Sequence, residues 1–346
     1  MTIAALRRVT AADVAREAGV SRATVGFVLN GTKGQTISVA TAKRVREAAS
    51  KLGYTPHSQA QALRSGRSKI VLMVLPDWPL EHQMRVHLEH VARVLDDAGL
   101  TLVTHTRRPH ADEAGQPIWA AIDPLAVVGL ELFSEAEIAS MHRLNITNIV
   151  PSPDQQAELA SRDDEVFDTL VAHRLQVRHL LERGHRRLGF AMPADQRLRE
   201  LANGRHQAVI EVCAAEGLME PVLITSVATD GDRSEYDVEK FIREGLTAVI
   251  AYNDNVAADI IGSATTQGIH VPTDLAVIGH DDSPLAARFI PSISSIRVDH
   301  RLLGEYVGNL VLKSIGQGQD APFPHVRIDV IPRTSTEVNR LSDTQP

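Results

Sequence analysis

Polar side chains follow three short apolar runs of this chain, at positions where they could bind a small molecule. Asn253 and Asp254 come directly after one run, Asp281 comes after another, and Trp78 comes after a third. Carboxylates accept hydrogen bonds from hydroxyl groups and an aromatic face packs against apolar ring carbons, which is typical of sites for sugars and nucleosides. The alternative at each position is a turn or a helix cap, where Asp and Asn are common. For Asn253 and Asp254 both interpretations stay open, because a helical pattern follows directly.

Catalytic and metal chemistry find little support in the residue pattern. The chain has no phosphate-cradling glycine loop, no dinucleotide fingerprint and no GxSxG elbow. Asp281 and Asp282 are neighbours in a predicted turn and would point apart, which disfavours a pair of catalytic carboxylates. His87 and His90 lie three residues apart on a predicted helix, without a cysteine or a well-placed acidic partner at ligand spacing. We therefore expect no catalytic residues, no metal site and no cofactor.

A second set of polar residues lies on a predicted helix near the N-terminus. Residues 11–30 read as two short helices joined at Gly19, which can adopt the left-handed conformation that ends a helix. Thr10 can cap the first helix with Asp13 as its capping-box partner, and Ser21 can cap the second. Two helices held at an angle by a glycine turn place the second helix in the major groove of DNA. The alternative is a helical hairpin of any small bundle.

The second helix has one apolar face and one face that is free to contact bases. The apolar face consists of Val25, Val28 and Leu29. The opposite face consists of Arg22, Ala23, Gly26, Phe27 and Asn30. A third helix is predicted from a Ser38 cap to Leu52, with basic residues, Lys51 among them, available to phosphate.

Charge separates the N-terminal segment from the rest of the chain. Residues 1–70 carry 12 Lys and Arg against 3 Asp and Glu, whereas the remaining 276 residues carry 24 against 40. A basic segment attached to an acidic body favours a phosphate-facing module joined to a module with another task. A solvated helix face would not explain why the basic residues segregate in this way.

Two stretches, VAREAGVSRATVGFVLNG and TAKRVREAASKLGYTPHSQAQALRSG, together resemble the headpiece and hinge of the lactose-repressor (LacI/GalR) family of bacterial transcription regulators. The matching signals are AGVS before the second helix, VLN at its end, LGYTP after the third helix and AxxLRSG in the hinge. The resemblance implies an N-terminal all-α helix-turn-helix headpiece with a hinge helix. It also implies a two-lobed α/β core of periplasmic-binding-protein type with parallel sheets.

The motifs and the resemblance together imply a set of DNA-contacting residues. The set is Thr10, Ser21, Arg22, Ala23, Thr24, Phe27, Asn30, Ser38, Thr41, Tyr54, His57, Ala60, Leu63 and Arg64. By the resemblance, residues 57–69 form a hinge helix on operator DNA, and Leu63 takes the position that wedges between base pairs and kinks the duplex. Without the resemblance this segment is equally well interpreted as a flexible linker, because it is too short to be a stable isolated helix.

The second helix departs from the family pattern at two positions. The family reads TVSRVLN where this chain has TVGFVLN. Phe27 in place of an arginine removes a bidentate reader of guanine and offers an apolar ring suited to a thymine methyl group. Arg22 then becomes the main candidate for reading guanine. We therefore expect an operator whose half-site differs from the family pattern at the base that Phe27 faces.

Strand-like runs alternate with helical patterns from residue 70 onward. The runs are 70–75, 100–104, 125–130, 146–150, 188–192, 248–252 and 275–279, and the helical patterns include 85–98, 167–183 and 205–217. This alternation predicts parallel sheets with helices on both faces, in two lobes because of the length. The predicted domains are residues 1–56, 57–69 and 70–340. Their lobes are expected to cross near 151–163, 289–294 and 318–324.

The resemblance bears on the small-molecule site as well. Asp281 is the first acidic residue of VIGHDD, which commonly contacts the effector in the family. Leu201 stands where the family has an arginine three residues before Gly204, with Arg199 and Arg205 nearby. The expected effector-binding residues are Trp78, Arg199, Asn253, Asp254 and Asp281. The ligand is sugar- or nucleoside-like, or, given Leu201, less sugar-like.

These observations predict a homodimeric transcriptional repressor that binds a pseudo-palindromic double-stranded operator under small-molecule control. Cys213 is the only cysteine, and the longest apolar run, 70–75, is too short to span a bilayer, so we expect a cytoplasmic protein. The segment after Val338 lacks heptads, which favours a dimer. Two alternatives remain: a two-lobed binding protein or enzyme without a DNA role, and an architectural DNA-binding protein whose core only dimerises.

Overall fold

The computed structural model describes residues 9–30, 37–54, 68–107, 116–156, 169–230, 233–319 and 322–337. These residues form two compact units, an N-terminal unit of helices and a larger unit with two four-stranded sheets. The predicted hinge positions His57, Ala60, Leu63 and Arg64 lie outside the described residues, as does the tail after Glu337.

The N-terminal unit contains three helices, which are α1 (Ala11–Ala18), α2 (Arg22–Asn30) and α3 (Val39–Leu52). The predicted caps are confirmed. The Thr10 backbone N–H and hydroxyl both donate to the Asp13 carboxylate, at 3.0 and 2.7 Å. Gly19 ends α1 in the left-handed region at φ 64°, and Ser21 Oγ accepts from the Thr24 N–H at 3.1 Å.

The inner faces of the three helices form a small core. Val14, Val25 and Val45 are at most 1% exposed, and one of them comes from each helix. On the surface, the Lys51 ammonium lies 2.6 Å from the Glu17 carboxylate and ties α3 to α1. Lys51 remains 72% exposed in this pair, and its contact with phosphate stays a prediction.

The first lobe of the larger unit is built on a four-stranded sheet in the order β2-β1-β3-β4. Its elements are β1 (Ile70–Leu75), α4 (His82–Asp97), β2 (Thr101–Thr106), α5 (Ile118–Ile122), β3 (Ala126–Gly129), α6 (Glu135–Arg143) and β4 (Ile149–Val150). Strand β3 pairs in parallel with β1 and with β4. Leu72, Val127 and Trp119 are buried together in its core.

The second lobe is built on a parallel sheet in the order β10-β9-β5-β6. Its elements are α7 (Thr169–Leu181), β5 (Leu188–Ala191), α8 (Arg199–Ala215), β6 (Val222–Ile224), β7 (Ala228–Asp230), β8 (Arg233–Glu235), α9 (Val238–Arg243), β9 (Ala248–Ala251), α10 (Asp254–Thr266), β10 (Ala276–Ile278) and α11 (Pro284–Arg288). A 3₁₀ turn at Gln196–Leu198 leads into α8. Every predicted strand is present, although most bounds differ by one to a few residues from those predicted.

Three features of the core escaped prediction because they are short or depend on distant contacts. These are strand β6, the antiparallel pair β7–β8, and the antiparallel pair of β11 (Ser295–Val298) with β12 (Ile328–Ile331). Between β11 and β12, helix α12 (His300–Ser314) packs on α4 of the first lobe. Gly304 permits this approach, since a Cβ there would lie 2.5 Å from the His87 carbonyl oxygen. The predicted lobe crossings stay predictions.

Candidate functional site

The outward face of α2 is at least partly accessible from Arg22 to Phe27. Arg22 and Ala23 are exposed and Phe27 is partly exposed, whereas Val25 and Val28 are buried on the other side. The Ser21 and Thr24 hydroxyls lie 2.9 Å apart at the start of the helix. The Asn30 side chain is outside the described residues. The face therefore presents one guanidinium, one methyl group and one aromatic ring, which can read bases through hydrogen bonds and apolar contact.

The start of α3 offers a second set of exposed donors. Ser38 is exposed, and its hydroxyl accepts from the Thr41 N–H at 3.2 Å and lies 2.9 Å from the Thr41 hydroxyl. Backbone N–H groups at a helix N-terminus favour a negatively charged neighbour such as phosphate. Tyr54, at the other end of α3, is partly buried against the core of the headpiece.

Asp281 lies at the carboxyl end of the second-lobe sheet, beside one guanidinium and one imidazole. Its Oδ1 lies 2.8 Å from His280 Nδ1, within hydrogen-bond distance, and 3.7 Å from Arg205 Nη2, within ion-pair distance. Burial alone would raise the pKa of Asp281, but Arg205 and the His280 hydrogen bond outweigh it and hold that pKa well below its ordinary value. Asp281 is therefore a fixed carboxylate at the edge where open α/β sheets bind ligands.

Arg205, and not the predicted Arg199, supplies the guanidinium at this edge. Its Nη1 donates to the Tyr252 carbonyl at 2.6 Å, and its guanidinium lies 4.5 Å from the centre of the Tyr252 ring. Leu201 and Arg205 are four residues apart on α8 and therefore share a face. Leu201 takes the position of the family's arginine, so the spacing of four residues from Leu201 could have identified Arg205 from the sequence.

Arg199 lies elsewhere, at the exposed start of α8. Its guanidinium donates to the Gln196 side chain, and it lines an open cavity of about 510 Å³ together with Asn203, Thr225 and Ser226. No other predicted effector residue lines this cavity. The structure therefore brings together Asn253, Asp254 and Asp281 at the sheet edge without Arg199.

Asn253 is the N-cap of α10, as one of the two interpretations expected. Its Oδ1 accepts from the Val256 N–H at 3.0 Å. Its Nδ2 donates to both carboxylate oxygens of Glu81, at 2.9 and 2.8 Å, and Glu81 belongs to the first lobe. Asn253 therefore caps a helix and links the two lobes at the same time.

Asp254 has an internal partner for each carboxylate oxygen. It is 1% exposed and accepts from the Ser283 N–H and the Ser295 hydroxyl, both at 2.6 Å. Burial raises the pKa of Asp254 to about 7, against the opposing effect of these hydrogen bonds. Its carboxylate thus ties the start of α10 to α11 and β11.

Trp78 packs on the second lobe, and two residues that the sequence did not indicate, Gln83 and His173, lie at this edge. Trp78 follows β1 and packs, partly buried, against the core of the second lobe. The Gln83 side-chain amide donates to the Asp281 carbonyl. The His173 ring lies 5.7 Å from that of His280, and burial lowers the pKa of His173 to about 3. These residues are separated by long stretches of sequence, so no local sequence pattern indicates that they lie together.

Within the described ranges, no group of three or more His, Cys, Asp or Glu is arranged to hold a metal ion. Among those same residues, no helix is both long and apolar enough to cross a membrane. His87 is buried with a pKa lowered by that burial to about 4, and His90 Nδ1 lies 3.2 Å from Glu305 Oε1.

Comparisons with known proteins match both units of the chain. Residues 10–57 match the family model "Bacterial regulatory proteins, lacI family", and residues 177–336 match "Periplasmic binding protein-like domain". The fold and the site thus define a helix-turn-helix DNA-binding protein with a periplasmic-binding-type core.

Known transcription regulators are similar in sequence to this chain along nearly its whole length. The HTH-type transcriptional regulator reg1 of Streptomyces lividans is 28% identical over 93% of this chain and 93% of its own length. The HTH-type transcriptional repressor PurR of Haemophilus influenzae is 26% identical over 93% and 96%. A crystal structure of the lac repressor dimer bound to operator and the anti-inducer ONPF has a TM-score of 0.68, at 22% identity over 96% of this chain and 100% of that chain.

Residues 10–57 thus match the lacI-family model, and nearly the whole chain is similar to bacterial transcription regulators of LacI/GalR type. The chain is a DNA-binding regulator with a ligand-binding core, and it is not an enzyme. The interpretation as a two-lobed binding protein without a DNA role is therefore excluded.

Proposed function

We propose that two copies of this chain bind a pseudo-palindromic operator in the cytoplasm and repress transcription under the control of a small molecule. The observation that carries the DNA-binding role is the face of α2, which exposes Arg22, Ala23 and part of Phe27 while its inner face is buried. In this geometry Arg22 reads a guanine, Phe27 contacts a thymine methyl group, and Ser38 and Thr41 contact phosphate. The other DNA contacts proposed are Thr10, Ser21, Thr24, Asn30, Tyr54, His57, Ala60, Leu63 and Arg64.

The effector site is proposed at the carboxyl end of the second-lobe sheet, around Asp281 and Asn253. The ionised Asp281 carboxylate can accept hydroxyl groups, and Trp78 offers an aromatic face from the first lobe. The complex of the transcriptional regulator CelR with cellobiose is similar in structure to this chain, with a TM-score of 0.59 at 24% identity. A hydroxyl-bearing ligand of sugar type fits the residues of this edge. Asp254 contributes by holding the edge in place, and Arg199 contacts a ligand that extends into its cavity.

Control of DNA binding follows from differential affinity. An effector that binds one lobe arrangement better than another shifts the population toward it, and by linkage the operator shifts the affinity for effector in the same proportion. An inducer favours the arrangement that releases DNA, whereas a corepressor favours the one that holds it.

The dimer is proposed on exposed apolar side chains of the second lobe. Ile290 is 89% exposed, Val227 is 67% exposed and Leu223 is 51% exposed. Leu223 and Val227 lie at the β6 edge of the sheet, whereas Ile290 lies near the β10 edge and is the most exposed of the three, so Ile290 is the first candidate for a dimer contact. Sedimentation should give twice the chain mass for the wild type and a lower mass for Ile290→Asp. A monomeric wild type that binds its operator as a single copy would contradict the dimer.

One variant separates the two sites. We expect Asp281→Ala to abolish the response of operator binding to effector while leaving operator affinity in the absence of effector near that of the wild type. The operator is obtained by selection from genomic fragments, and the effector from a thermal-shift screen of sugars and nucleosides. Asp274→Ala, a surface carboxylate paired with His270, is the matched control. A full effector response in Asp281→Ala would remove this residue from the site.

A further inference from the structure

The segment after β1 reaches from the first lobe to the carboxyl edge of the second. Both Glu81 oxygens accept from Asn253 Nδ2, at 2.9 and 2.8 Å, and Glu81 Oε1 also accepts from Asn255 Nδ2 at 3.2 Å. We call this set of Glu81, Asn253 and Asn255 the interlobe latch. It joins residues that are 172 and 174 positions apart in the chain.

The Glu81 side chain makes this contact and not the capping hydrogen bond that its position in the chain would allow. It occupies the N-cap position of α4, yet its side chain makes no capping hydrogen bond to that helix. A side chain at an N-cap ordinarily accepts from the N–H groups of the first turn. Here the carboxylate points across the cleft, and the neighbouring Gln83 amide does the same by donating to the Asp281 carbonyl.

The electrostatics make the latch a contact of limited strength. Burial raises the pKa of Glu81, and the nearby Asp281 carboxylate raises it further, while hydrogen bonds from the two asparagines and the charge of Arg205 act in the other direction. The carboxylate is therefore held mainly by neutral amides against the repulsion of a second carboxylate. Such a contact can close the lobes and still be displaced.

We propose that Glu81 acts as an internal ligand, which holds the two lobes together through Asn253 and Asn255. This inference rests on the proposed function in one respect, namely that the same edge receives the effector. If it does, an effector that takes the donors of Asn253 must first displace Glu81. The apparent affinity for effector is then lowered by the fraction of molecules in which the latch is closed.

Trp78 provides a reporter for the state of the latch. It lies three residues before Glu81 and packs against the second-lobe core, whereas the only other tryptophan, Trp119, is 5% exposed inside the first lobe. When the lobes separate, Trp78 becomes accessible to solvent and Trp119 does not. In a Trp119→Phe background, quenching of fluorescence by acrylamide therefore measures opening of the cleft.

The test compares Glu81→Ala with a matched control in that background, without DNA or effector. We expect the quenching constant of Trp78 to rise about twofold or more in Glu81→Ala, because the population shifts toward the open arrangement. Asn255→Ala should give a smaller rise, since Asn253 still holds the carboxylate. Glu89→Ala removes a carboxylate of the same helix whose pair with Arg93 is on the surface, and it should leave the constant unchanged.

A folding control and a comparison with Glu89→Ala complete the test of the interlobe latch. In a Trp78→Phe background, an unchanged emission of Trp119 shows that Glu81→Ala leaves the first lobe folded. If the quenching constant of Glu81→Ala equals that of Glu89→Ala, the latch does not hold the lobes and the proposal is wrong. That outcome would leave the proposed function standing, because operator binding and the effector response are measured separately.

Discussion

The pair of Arg205 and Asp281 makes a quantitative prediction for the variant Arg205→Leu. The two side chains are 22% and 13% exposed and their charged atoms are 3.7 Å apart. At an effective dielectric constant of about 20 their attraction is on the order of 4 kcal/mol, and removing one partner of a buried pair costs about 3–5 kcal/mol. We therefore expect Arg205→Leu to lower the free energy of unfolding of the core by about 3–5 kcal/mol at pH 7.5.

The stability deficit of Arg205→Leu should depend on pH in one direction. In the wild type Arg205 keeps the pKa of Asp281 low. In Arg205→Leu the strongest effect that opposes burial is lost and the His280 hydrogen bond remains. Burial, the largest single effect, then raises the native-state pKa above that of the unfolded chain, so the native state binds a proton that the unfolded state releases. The stability deficit of the variant should therefore shrink as the pH falls from 7.5 to 5.5.

Urea unfolding followed by circular dichroism at both pH values measures the deficit. Arg205→Leu combined with Asp281→Asn should recover most of the loss at pH 7.5, because no buried charge is left without a partner. Arg178→Leu is the matched control, since Arg178 is 57% exposed in its pair with Glu216 and such surface pairs contribute about 1 kcal/mol or less. A deficit below about 1 kcal/mol for Arg205→Leu, or one that does not shrink at pH 5.5, would refute the reasoning.

Three further predictions concern the DNA-binding face and the buried carboxylate. Phe27→Arg should shift operator preference toward guanine at the base it faces, as read by selection from randomised half-sites, and an unchanged preference would contradict the assigned contact. Leu63→Ala should weaken binding to the selected operator much more than to random DNA in a titration, whereas an equal loss for both would remove the wedge role. Asp254, with a pKa of about 7 in the native state, should make stability fall as pH rises from about 4 to about 7, by up to about 4 kcal/mol. Asp254→Asn lacks this titration, so the difference in unfolding free energy between the variant and the wild type should change with pH by the same amount. A difference that does not depend on pH would contradict the prediction.

The headpiece was the most predictable part of the molecule because its determinants are local. The Thr10–Asp13 capping box, the left-handed Gly19 and the Ser21 cap each depend on residues within three positions of one another. The apolar spacing of Val25 and Val28 then fixes which face of α2 is buried.

The strands of the core were predictable for a related reason. Residues buried on both faces of a parallel sheet, such as those of β9 and β10, give continuous apolar runs that stand out in a sequence. The pair β11–β12 gives no such run, because β12 and the second half of β11 are partly or fully exposed and the paired residues are 30 to 36 positions apart.

The effector edge was predictable only in part. Asp281 and Asn253 follow strands, so their position at the carboxyl edge follows from topology. The choice between Arg199 and Arg205 depends on helical spacing, because Arg205 lies four residues after Leu201 on α8 and shares its face, whereas Arg199 lies two residues before Leu201 and does not. Glu81 could not be identified, because its partners belong to the other lobe and long-range contacts leave no periodic signal.

Binding of the purified protein to genomic DNA tests the central claim most directly. The protein should enrich a fragment that carries two half-sites in inverted repeat, with an affinity that falls steeply as salt concentration rises, because phosphate contacts release counterions. Arg22→Ala should lose this enrichment while keeping weak, salt-sensitive binding to any DNA. A single unrepeated site, a flat response to salt, or equal enrichment by Arg22→Ala would contradict the account of a dimeric regulator that reads its operator through α2.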